Sequence, residues 1–256
     1  MKKFYRIEHQ GTPRHVIEES GRWRLLDGNL FGRYEAGDEI PSNGQRLLAP
    51  VEPSKMVCIG LNYKDHAAEQ NKPLPASPLM FIKPSTAVVG PGGTIVVPPD
   101  IGGVEHEAEV GVVIGRRASR VSERDAHQYV LGLICFNDVT ARALQKKGLQ
   151  YTHVKGFDTF APIGPCVAAD IDYHAADGVG IEGWVNGERR QASSTRQLIF
   201  SIDYLIAYIS NVMTLLPGDI VATGTPSGVG PLEPGDEVTI KVSGVGDLTN
   251  PVGGQA

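Results

Sequence analysis

The hydrophobic pattern of this chain is that of many short strands separated by turns. Apolar runs of strand length occur at 79–82, 94–97, 107–115, 129–137, 219–222 and 237–242. One longer amphipathic stretch, 201–211, places Ile202, Leu205, Ile206 and Ile209 on a single helical face. Shorter helices are predicted at 62–70, 122–126 and 140–147. The pattern therefore predicts a mainly β fold with a few short helices.

The first 50 residues follow a pattern of their own. Short strand-like segments at 4–7 and 22–26 alternate with turn signals, which predicts a small N-terminal β module at 1–50. The segment 49–54 contains two prolines and is typical of a linker. We therefore predict that the main domain spans 55–256.

Composition and charge exclude several classes of function. The 256 residues include 31 glycines and 18 prolines without a repeating period, which favours a globular fold with many tight turns. The net charge of −5 argues against nucleic-acid binding, and no apolar run reaches the roughly 18 residues of a membrane span. Cys58, Cys135 and Cys166 are odd in number and have apolar neighbours, which predicts reduced, buried thiols in a cytoplasmic protein.

Candidate chemistry begins with three alternating glutamates, Glu105, Glu107 and Glu109. In an extended strand alternate side chains share one face, so these carboxylates require a positive charge against that face. Asp138, at the end of another apolar run, would add a third oxygen to those of Glu107 and Glu109. Such a donor set suits Mg²⁺ or Mn²⁺, and Ca²⁺ less well. The alternative is that the carboxylates face solvent and bind nothing.

His66 and Glu69 form a second candidate pair, because they lie three residues apart in the helix predicted at 62–70. A carboxylate beside an imidazole fixes its tautomer and raises its basicity, as a general base requires. Such pairs are also common on helix surfaces without any function, so the spacing alone leaves both interpretations open. The glycines and prolines that flank the segment suit a lid that folds over a site.

Three further segments carry groups that suit an anionic ligand. Arg142 and Gln145 share a face of the helix predicted after Asp138. Lys155 would stabilise an enolate if it lay beside a metal, and would otherwise be a surface cation. The glycine-rich segment 223–230 would let the backbone approach a ligand and offers the Thr225 hydroxyl, although a structural turn is the alternative.

In this order the motifs resemble those of the fumarylacetoacetate hydrolase family, over about residues 55–252. The motifs that carry the resemblance are Ile59-Gly60-Leu61-Asn62-Tyr63 with His66 and Glu69, Phe81-Ile82-Lys83-Pro84-Ser85, Glu105-His106-Glu107-Ala108-Glu109, Asn137-Asp138-Val139-Thr140-Ala141-Arg142, Lys155-Gly156-Phe157-Asp158, Leu216-Pro217-Gly218-Asp219 and Gly224-Thr225-Pro226-Ser227-Gly228-Val229-Gly230. The resemblance implies a mixed β-roll core at 55–256, usually in homodimers, with one divalent cation per subunit. By position it implies Glu107, Glu109 and Asp138 as metal ligands and gives Glu105 a supporting place.

The resemblance also implies roles for the remaining candidates. His66 and Glu69 would form the catalytic pair, and Lys155 would hold a substrate oxygen beside the metal. The residues implied in substrate binding are Gln145, Arg142, Lys83, Gly224 and Thr225, with Lys83 and Arg142 as charges that support the direct contacts.

The implied substrate is a small 2-oxo or 2,4-dioxo acid. Because the His66–Glu69 pair is complete, we expect a hydrolase that activates water and cleaves a carbon–carbon bond of an acylpyruvate-like acid through a metal-stabilised enolate. Isomerisation or decarboxylation of a 2-hydroxy-diene or 2-oxo dicarboxylate, including oxaloacetate, passes through the same enolate and is the alternative. A more distant alternative is a non-catalytic metal-binding module, which would need neither His66 nor Glu69. The chain departs from the family pattern at Gln197, near which an acidic residue is often found. Arg196 beside it would offer a cation to a second substrate carboxylate if its loop lined the pocket.

Overall fold

The computed structural model describes residues 1–254, and strands are its predominant regular secondary structure. The strands of the first half are β1 Lys3–His9, β2 Thr12–Glu19, β3 Arg22–Gly28, β4 Tyr34–Ile40, β5 Arg46–Leu48, β6 Lys55–Gly60, β7 Leu79–Pro84, β8 Val88–Val89, β9 Ile95–Val97, β10 Val104–His106 and β11 Ala108–Ile114. Those of the second half are β12 Val130–Asn137, β13 Thr140–Ala141, β14 Ala161–Ala168, β15 Gly180–Val185, β16 Glu188–Ser194, β17 Ile220–Ala222, β18 Gly230–Leu232, β19 Glu237–Val242 and β20 Gly246–Gly254. The α-helices are α1 Lys64–Glu69, α2 Arg142–Lys146, α3 Tyr151–Lys155 and α4 Ile202–Val212. The predicted mainly β class is confirmed.

The strands form one large mixed sheet and two smaller ones. The large sheet has the order β4-β3-β2-β1-β14-β12-β11-β17-β6-β7, with β5 added on β1 and β8 on β14. A five-stranded sheet has the order β16-β15-β19-β20-β9, and a three-stranded sheet has the order β13-β10-β18. Most pairs are antiparallel, whereas β17–β6, β14–β8 and β20–β9 are parallel. The mixed pairing agrees with the core that the resemblance implied.

The central strand β11 is buried on both faces, and each face contributes to a different part of the core. Val110 and Val112 belong to the larger hydrophobic cluster, which includes residues of the five-stranded sheet and of α4. Val113, on the opposite face, belongs to a second cluster with Ile134 and Phe136 of β12. Alternate side chains of a strand point to opposite faces, so one continuous apolar run fills both clusters. Glu109 lies near the start of this strand and is 1% exposed.

The predicted helix at 201–211 is present with a shift of one residue, since Ser201 caps α4 by accepting a hydrogen bond from the Tyr204 amide at 3.1 Å. The helix predicted at 140–147 begins later than expected. Thr140 lies opposite Glu105 in the β13–β10 pair, so the helix is confined to Arg142–Lys146. The acidic segment was expected to be one strand but is interrupted at Glu107, which separates β10 from β11. Tertiary pairing overrides the local pattern at both places.

The N-terminal strands continue the large sheet. In particular, β1 pairs with β14 at Lys3–Ala168 and Phe4–Val167, and β2 to β4 extend from it in sequence order. The division of the chain at residues 50–55 stays a prediction.

Within residues 1–254, no helix is long and apolar enough to cross a membrane. The three cysteines are buried and unpaired, as predicted.

Candidate active site

A cavity of about 740 Å³ brings together most of the residues singled out from the sequence. The predicted residues that line it are His66, Glu69, Glu105, Glu107, Glu109, Asp138, Arg142, Gln145, Lys155 and Thr225. They come from the α1 segment, the β10–β11 junction, the end of β12, the helices α2 and α3, and the glycine-rich loop after β17. The sequence separations are large, so only the sheet topology places these groups at one site. Lys83 and Gly224 are not part of the lining.

Three carboxylates form the buried end of this cavity. Glu107, Glu109 and Asp138 are 6%, 1% and 1% exposed, and each offers an oxygen within 4.8 Å of those of the other two. The backbone amide of Asp138 donates to the Glu107 carbonyl at 2.9 Å, which holds the end of β12 against the β10–β11 junction. We call these three residues the carboxylate triad.

The triad is only partly neutralised by protein cations. Lys155 Nζ donates to Glu107 Oε2 at 2.7 Å and to Asp138 Oδ2 at 2.5 Å, and Arg142 binds the other oxygen of Glu107. Glu109 instead accepts a hydrogen bond from the Gly224 amide at 2.8 Å and has no cationic partner within the described chain. The triad therefore contains one buried carboxylate without a counter-charge.

Because Glu107 has cationic partners and Glu109 has none, the pKa values of the two carboxyl groups shift in opposite directions. Burial raises the pKa of Glu107, but the adjacent Lys155 and Arg142 outweigh burial and hold the pKa at about 2. The pKa of Glu109 is raised well above its usual range, first by burial and then by the negative charges of Asp138 and Glu107. Burial lowers the pKa of Lys155, yet Asp138 and Glu107 outweigh it and raise that pKa above its ordinary value.

The triad fits a divalent cation. Its three donors are hard carboxylate oxygens at one end of an open cavity, where water or ligand oxygens would complete an octahedral shell. Glu109 also lacks the counter-charge that a buried carboxylate requires. The residues that would hold the ion are thus Glu107, Glu109 and Asp138.

Lys83 contacts the triad through Asp138 and is not part of the cavity lining. Its side chain is 0% exposed, and Nζ donates to Asp138 Oδ1 at 2.6 Å, to the Phe160 carbonyl at 2.6 Å and to the Val139 carbonyl at 3.2 Å. An ammonium group has three N–H donors, so none remains for a substrate. Lys83 therefore orients the Asp138 carboxylate without lining the cavity.

His66 and Glu69 lie at the cavity on α1, as the helical spacing predicted. His66 Nδ1 lies 2.8 Å from Glu69 Oε2, and Gln70 Nε2 lies 2.8 Å from His66 Nε2. Because an amide nitrogen is only a donor, Nε2 of His66 must accept, and Nδ1 must carry the proton that it donates to Glu69. The neutral imidazole therefore carries its lone pair on Nε2, where it accepts the Gln70 amide in the absence of a substrate.

The position of α1 depends on tertiary contacts, because a helix of six residues is unstable by itself in water. Asn62 donates to the carbonyls of Phe200 and Thr223 and accepts from the Phe200 amide. Asp65 accepts the Ser193 hydroxyl at 2.5 Å, which ties the helix to β16. Glu69 Oε1 accepts the Gly228 amide at 3.0 Å. These bonds hold His66 against the cavity, and the expectation that the segment moves as a lid stays a prediction.

Arg142 and Gln145 lie together beside the triad. Arg142 Nε donates to Glu105 at 2.6 Å, while its terminal nitrogens bind Glu107 and Gln145. Burial lowers the pKa of Arg142, but Glu107 and Glu105 outweigh it and raise the pKa above its ordinary value. Glu105 thus supports Arg142 and does not join the triad.

The glycine-rich loop has a more specific geometry than its sequence suggested. Gly224 has a φ of +99°, and a Cβ at this position would lie 2.8 Å from the Asn62 Cβ, so the loop requires glycine here. Its amide orients Glu109 and does not face the cavity. The Thr225 hydroxyl donates to the Ala108 carbonyl at 2.9 Å and accepts from Gln191 Nε2 at 2.9 Å. Its hydrogen is therefore not available to a substrate carboxylate, contrary to expectation.

Gln191 is the residue of this region that sequence reasoning missed. It is 1% exposed, and Oε1 accepts from the Ala108 amide at 2.9 Å and from His106 Nδ1 at 3.0 Å. Its Nε2 donates to Thr225 and to the Pro226 carbonyl. All four hydrogen-bonding positions of the amide are used, so Gln191 connects β16 to the acidic strand and the glycine-rich loop. No local pattern in the sequence marks a glutamine with this role.

Arg196 lies away from the cavity. Its side chain is 64% exposed, and its nearest acidic partner is Asp177 at 3.9 Å. The expectation that it would serve a second substrate carboxylate is therefore wrong.

Comparison with known proteins extends these findings. The family described as Fumarylacetoacetate (FAA) hydrolase C-terminal matches residues 55–253, and the family described as Rv2993c-like, N-terminal, matches residues 2–50. A protein of Bos taurus named oxaloacetate tautomerase FAHD2B, mitochondrial, is 40% identical over 223 residues, which cover 83% of this chain and 71% of that protein.

Two solved structures share the fold over the whole chain. The structure of 5-carboxymethyl-2-hydroxymuconate delta-isomerase from Mycobacterium smegmatis has 41% identity and a TM-score of 0.91, and the match covers 99% of this chain and 100% of that one. Fumarylacetoacetate hydrolase from the psychrophilic Exiguobacterium antarcticum has 30% identity and a TM-score of 0.89, with full coverage of both chains. The family match and these likenesses agree with the motifs and the site geometry, and the chain therefore belongs to the fumarylacetoacetate hydrolase family.

Proposed function

We propose that this protein is an isomerase that moves a proton between carbon and oxygen of a 2-oxo acid, a keto–enol conversion, with a divalent cation held by the carboxylate triad. The observation that carries the proposal is that the basic Nε2 of His66 and the three triad carboxylates belong to one cavity. A structural metal site would have no use for an oriented base. This separates the proposal from a non-catalytic metal-binding module.

A cation in the triad, Mg²⁺ or Mn²⁺ by the chemistry of its donors, would act as a Lewis acid and stabilise negative charge on the 2-oxo oxygen. Lys155 complements this role from the protein side. Two of its three N–H donors are held by Glu107 and Asp138, and the third is available to a substrate oxygen because Lys155 lines the cavity.

His66 would carry the proton once the substrate has displaced the Gln70 amide from Nε2. In the direction of enol formation its Nε2 accepts a proton from the carbon next to the 2-oxo group, while the C–H electron pair becomes the carbon–carbon double bond. The proton then returns to the oxygen, or to a more distant carbon of a conjugated chain, so the product is an isomer and no water is consumed. Glu69, 2.8 Å from Nδ1, stabilises the imidazolium that exists between the two transfers.

The remaining polar residues would orient the acid. Arg142 and Gln145 present donors beside Glu107, and Glu105 holds the Arg142 guanidinium in place. Proton transfer requires the reacting carbon to lie within hydrogen-bonding reach of Nε2, so this orientation contributes directly to the rate. The names of the bovine tautomerase and the mycobacterial isomerase support an isomerase over other family reactions.

Hydrolysis of a carbon–carbon bond is the second candidate, and it was the expectation from the sequence. The same lone pair on His66 would take a proton from water, and the resulting hydroxide would attack the distal carbonyl of an acylpyruvate. The likeness to the Exiguobacterium hydrolase supports it at lower identity. Assembly as a homodimer and a cytoplasmic location also stay predictions.

A turnover panel tests the proposal. Conversion of 2-hydroxyhexa-2,4-dienedioate and of enol-oxaloacetate should be followed by ultraviolet absorbance, acetylpyruvate cleavage by coupled pyruvate detection, and oxaloacetate decarboxylation by carbon dioxide release. Each assay is run with Mg²⁺, with Mn²⁺ and with a chelator. We expect metal-dependent isomerisation in the first two assays. Pyruvate formation from acetylpyruvate without isomerisation would instead establish the hydrolase.

A further inference from the structure

We propose that Lys72 selects substrates that carry a second carboxylate, at the end of the molecule remote from the 2-oxo acid. The inference rests on the proposed function and names the residue that would recognise the distal carboxylate of a dicarboxylate substrate. Lys72 follows α1 and lines the same cavity as His66 and the triad.

The charges that line the cavity single out this residue. Lys155 is bound by Glu107 and Asp138, and Arg142 is bound by Glu105 and Glu107. Among the lysine and arginine side chains of the lining, Lys72 is the one that no carboxylate of the described chain holds. Its positive charge is therefore available to a ligand.

Backbone hydrogen bonds fix the position of Lys72, although its side chain is exposed. Asn71 has a left-handed φ of 52°, its amide donates to the Ala68 carbonyl at 3.0 Å, and the Lys72 amide donates to the Ala67 carbonyl at 2.9 Å. These are the two bonds of a Schellman C-cap. Pro73 follows directly and disfavours helical backbone at Lys72. The helix that carries His66 therefore also sets the position of Lys72.

The cavity has two chemically different ends. The carboxylate triad is at most 6% exposed and forms the buried end, whereas Lys72 is exposed at the mouth. The remaining wall includes apolar side chains, and these are Ile59, Leu61, Pro75, Leu79, Phe81 and Val229. A ligand that reaches from the triad to Lys72 passes this wall, so the chemistry that fits is a hydrocarbon or conjugated chain with a carboxylate at each end.

Binding of matched probes tests the inference independently of turnover. 2-Oxoadipate and its 6-methyl ester differ in the distal charge and in one methyl group, and calorimetry with Mg²⁺ present would measure their affinities. We expect the wild type to prefer the diacid by about tenfold, the size of one charge-assisted contact. Lys72→Gln should lose this preference by weakening the diacid alone, and Lys72→Arg should keep it.

Lys64→Gln is the matched control, because Lys64 lies at the other end of α1, is exposed and does not line the cavity. This variant should retain the preference of the wild type. Equal affinity of the wild type for the two probes, or an equal loss for both probes in Lys72→Gln, would overturn the role of Lys72. A retained binding preference with no turnover of any 2-oxo substrate would count against the proposed function and leave the role of Lys72 intact.

Discussion

Nδ1 of His66 lies 2.8 Å from Oε2 of Glu69, and the same carboxylate accepts the Gly228 amide through its other oxygen. Glu69 therefore orients the imidazole and at the same time fastens α1 to the glycine-rich loop. The proton on Nδ1 is assigned by this bond, which leaves Nε2 as the base.

The first prediction concerns this base. His66→Ala should lower kcat by about 10²- to 10⁴-fold, since it removes the group that carries the proton. Mn²⁺ affinity, measured by electron paramagnetic resonance, should remain that of the wild type because His66 is not a triad residue. Turnover that survives the substitution would show that another group is the base.

Glu109→Gln separates metal binding from folding. The substitution replaces one carboxylate of the triad by a neutral amide, so Mn²⁺ affinity should fall by about 100-fold. It also removes the buried carboxylate that has no cationic partner, so the free energy of unfolding in the presence of a chelator should not decrease. Glu105→Gln is the control and should keep most of the Mn²⁺ affinity. Wild-type Mn²⁺ affinity in Glu109→Gln would exclude this residue as a ligand.

Lys83→Met tests the buried ion pair behind Asp138. The substitution removes the donor to Asp138 Oδ1 and to two carbonyls, while Lys155 still binds Asp138 Oδ2, so we expect the free energy of unfolding to fall by about 3 kcal/mol. Lys2→Met, which removes the partly exposed pair with Glu19, should cost less than about 1 kcal/mol. Chemical denaturation would measure both. A similar small cost for the two variants would mean that the Lys83 pair contributes little to stability.

The bond between Asp65 and Ser193 should control how well α1 is positioned. Ser193→Ala removes the donor at 2.5 Å and should lower kcat by roughly tenfold, because His66 would be held less well against the cavity. Ser193→Thr keeps the hydroxyl and should restore kcat. The melting temperature should be similar in both variants. A kcat in Ser193→Ala equal to that of the wild type would show that the other contacts suffice to hold α1.

The lowered pKa of His15 predicts that the stability of the protein depends on pH. Its pKa is lowered, first by burial and then also by the nearby charge of Arg6, while a hydrogen bond to the Pro50 carbonyl opposes the shift. The unfolded chain therefore binds the proton more readily than the folded one. Stability from the neutral imidazole is present above the usual pKa of about 6.5 and is lost as the pH falls below it. His15→Gln should reduce this loss in urea denaturation between pH 7 and pH 5, and an unchanged slope would contradict the prediction.

Much of the site was accessible from the sequence because its members occur as short local patterns. The spacing of His66 and Glu69 predicts their pairing on a helix, and the alternation of Glu107 and Glu109 predicts a shared face. Both patterns depend only on helix and strand periods. The apolar runs likewise predicted the β class and the central strands, since burial on both faces of a strand leaves a continuous apolar segment.

Local patterns did not reveal the partners that approach from distant parts of the chain. Gln191 bonds to Ala108 and Thr225, and Lys83 bonds to Asp138, across separations of 34 to 83 residues. Such contacts depend on strand order, which no period in the sequence encodes. For the same reason Arg196 was expected at the cavity and lies outside it, while Lys72 lies in its wall.

By itself, the sequence determined the strand-rich class, the stripe of α4, and the residue types that could bind a cation and carry a proton. These follow from side-chain chemistry and from periods of two and 3.6 residues, which act over a few neighbours. The tertiary structure alone decided which of these groups share one cavity, that Lys83 and the Thr225 hydroxyl are already occupied, and that Lys72 is the cation left available to a ligand. Each of those outcomes depends on hydrogen bonds and burial between segments that only the packed sheets bring together.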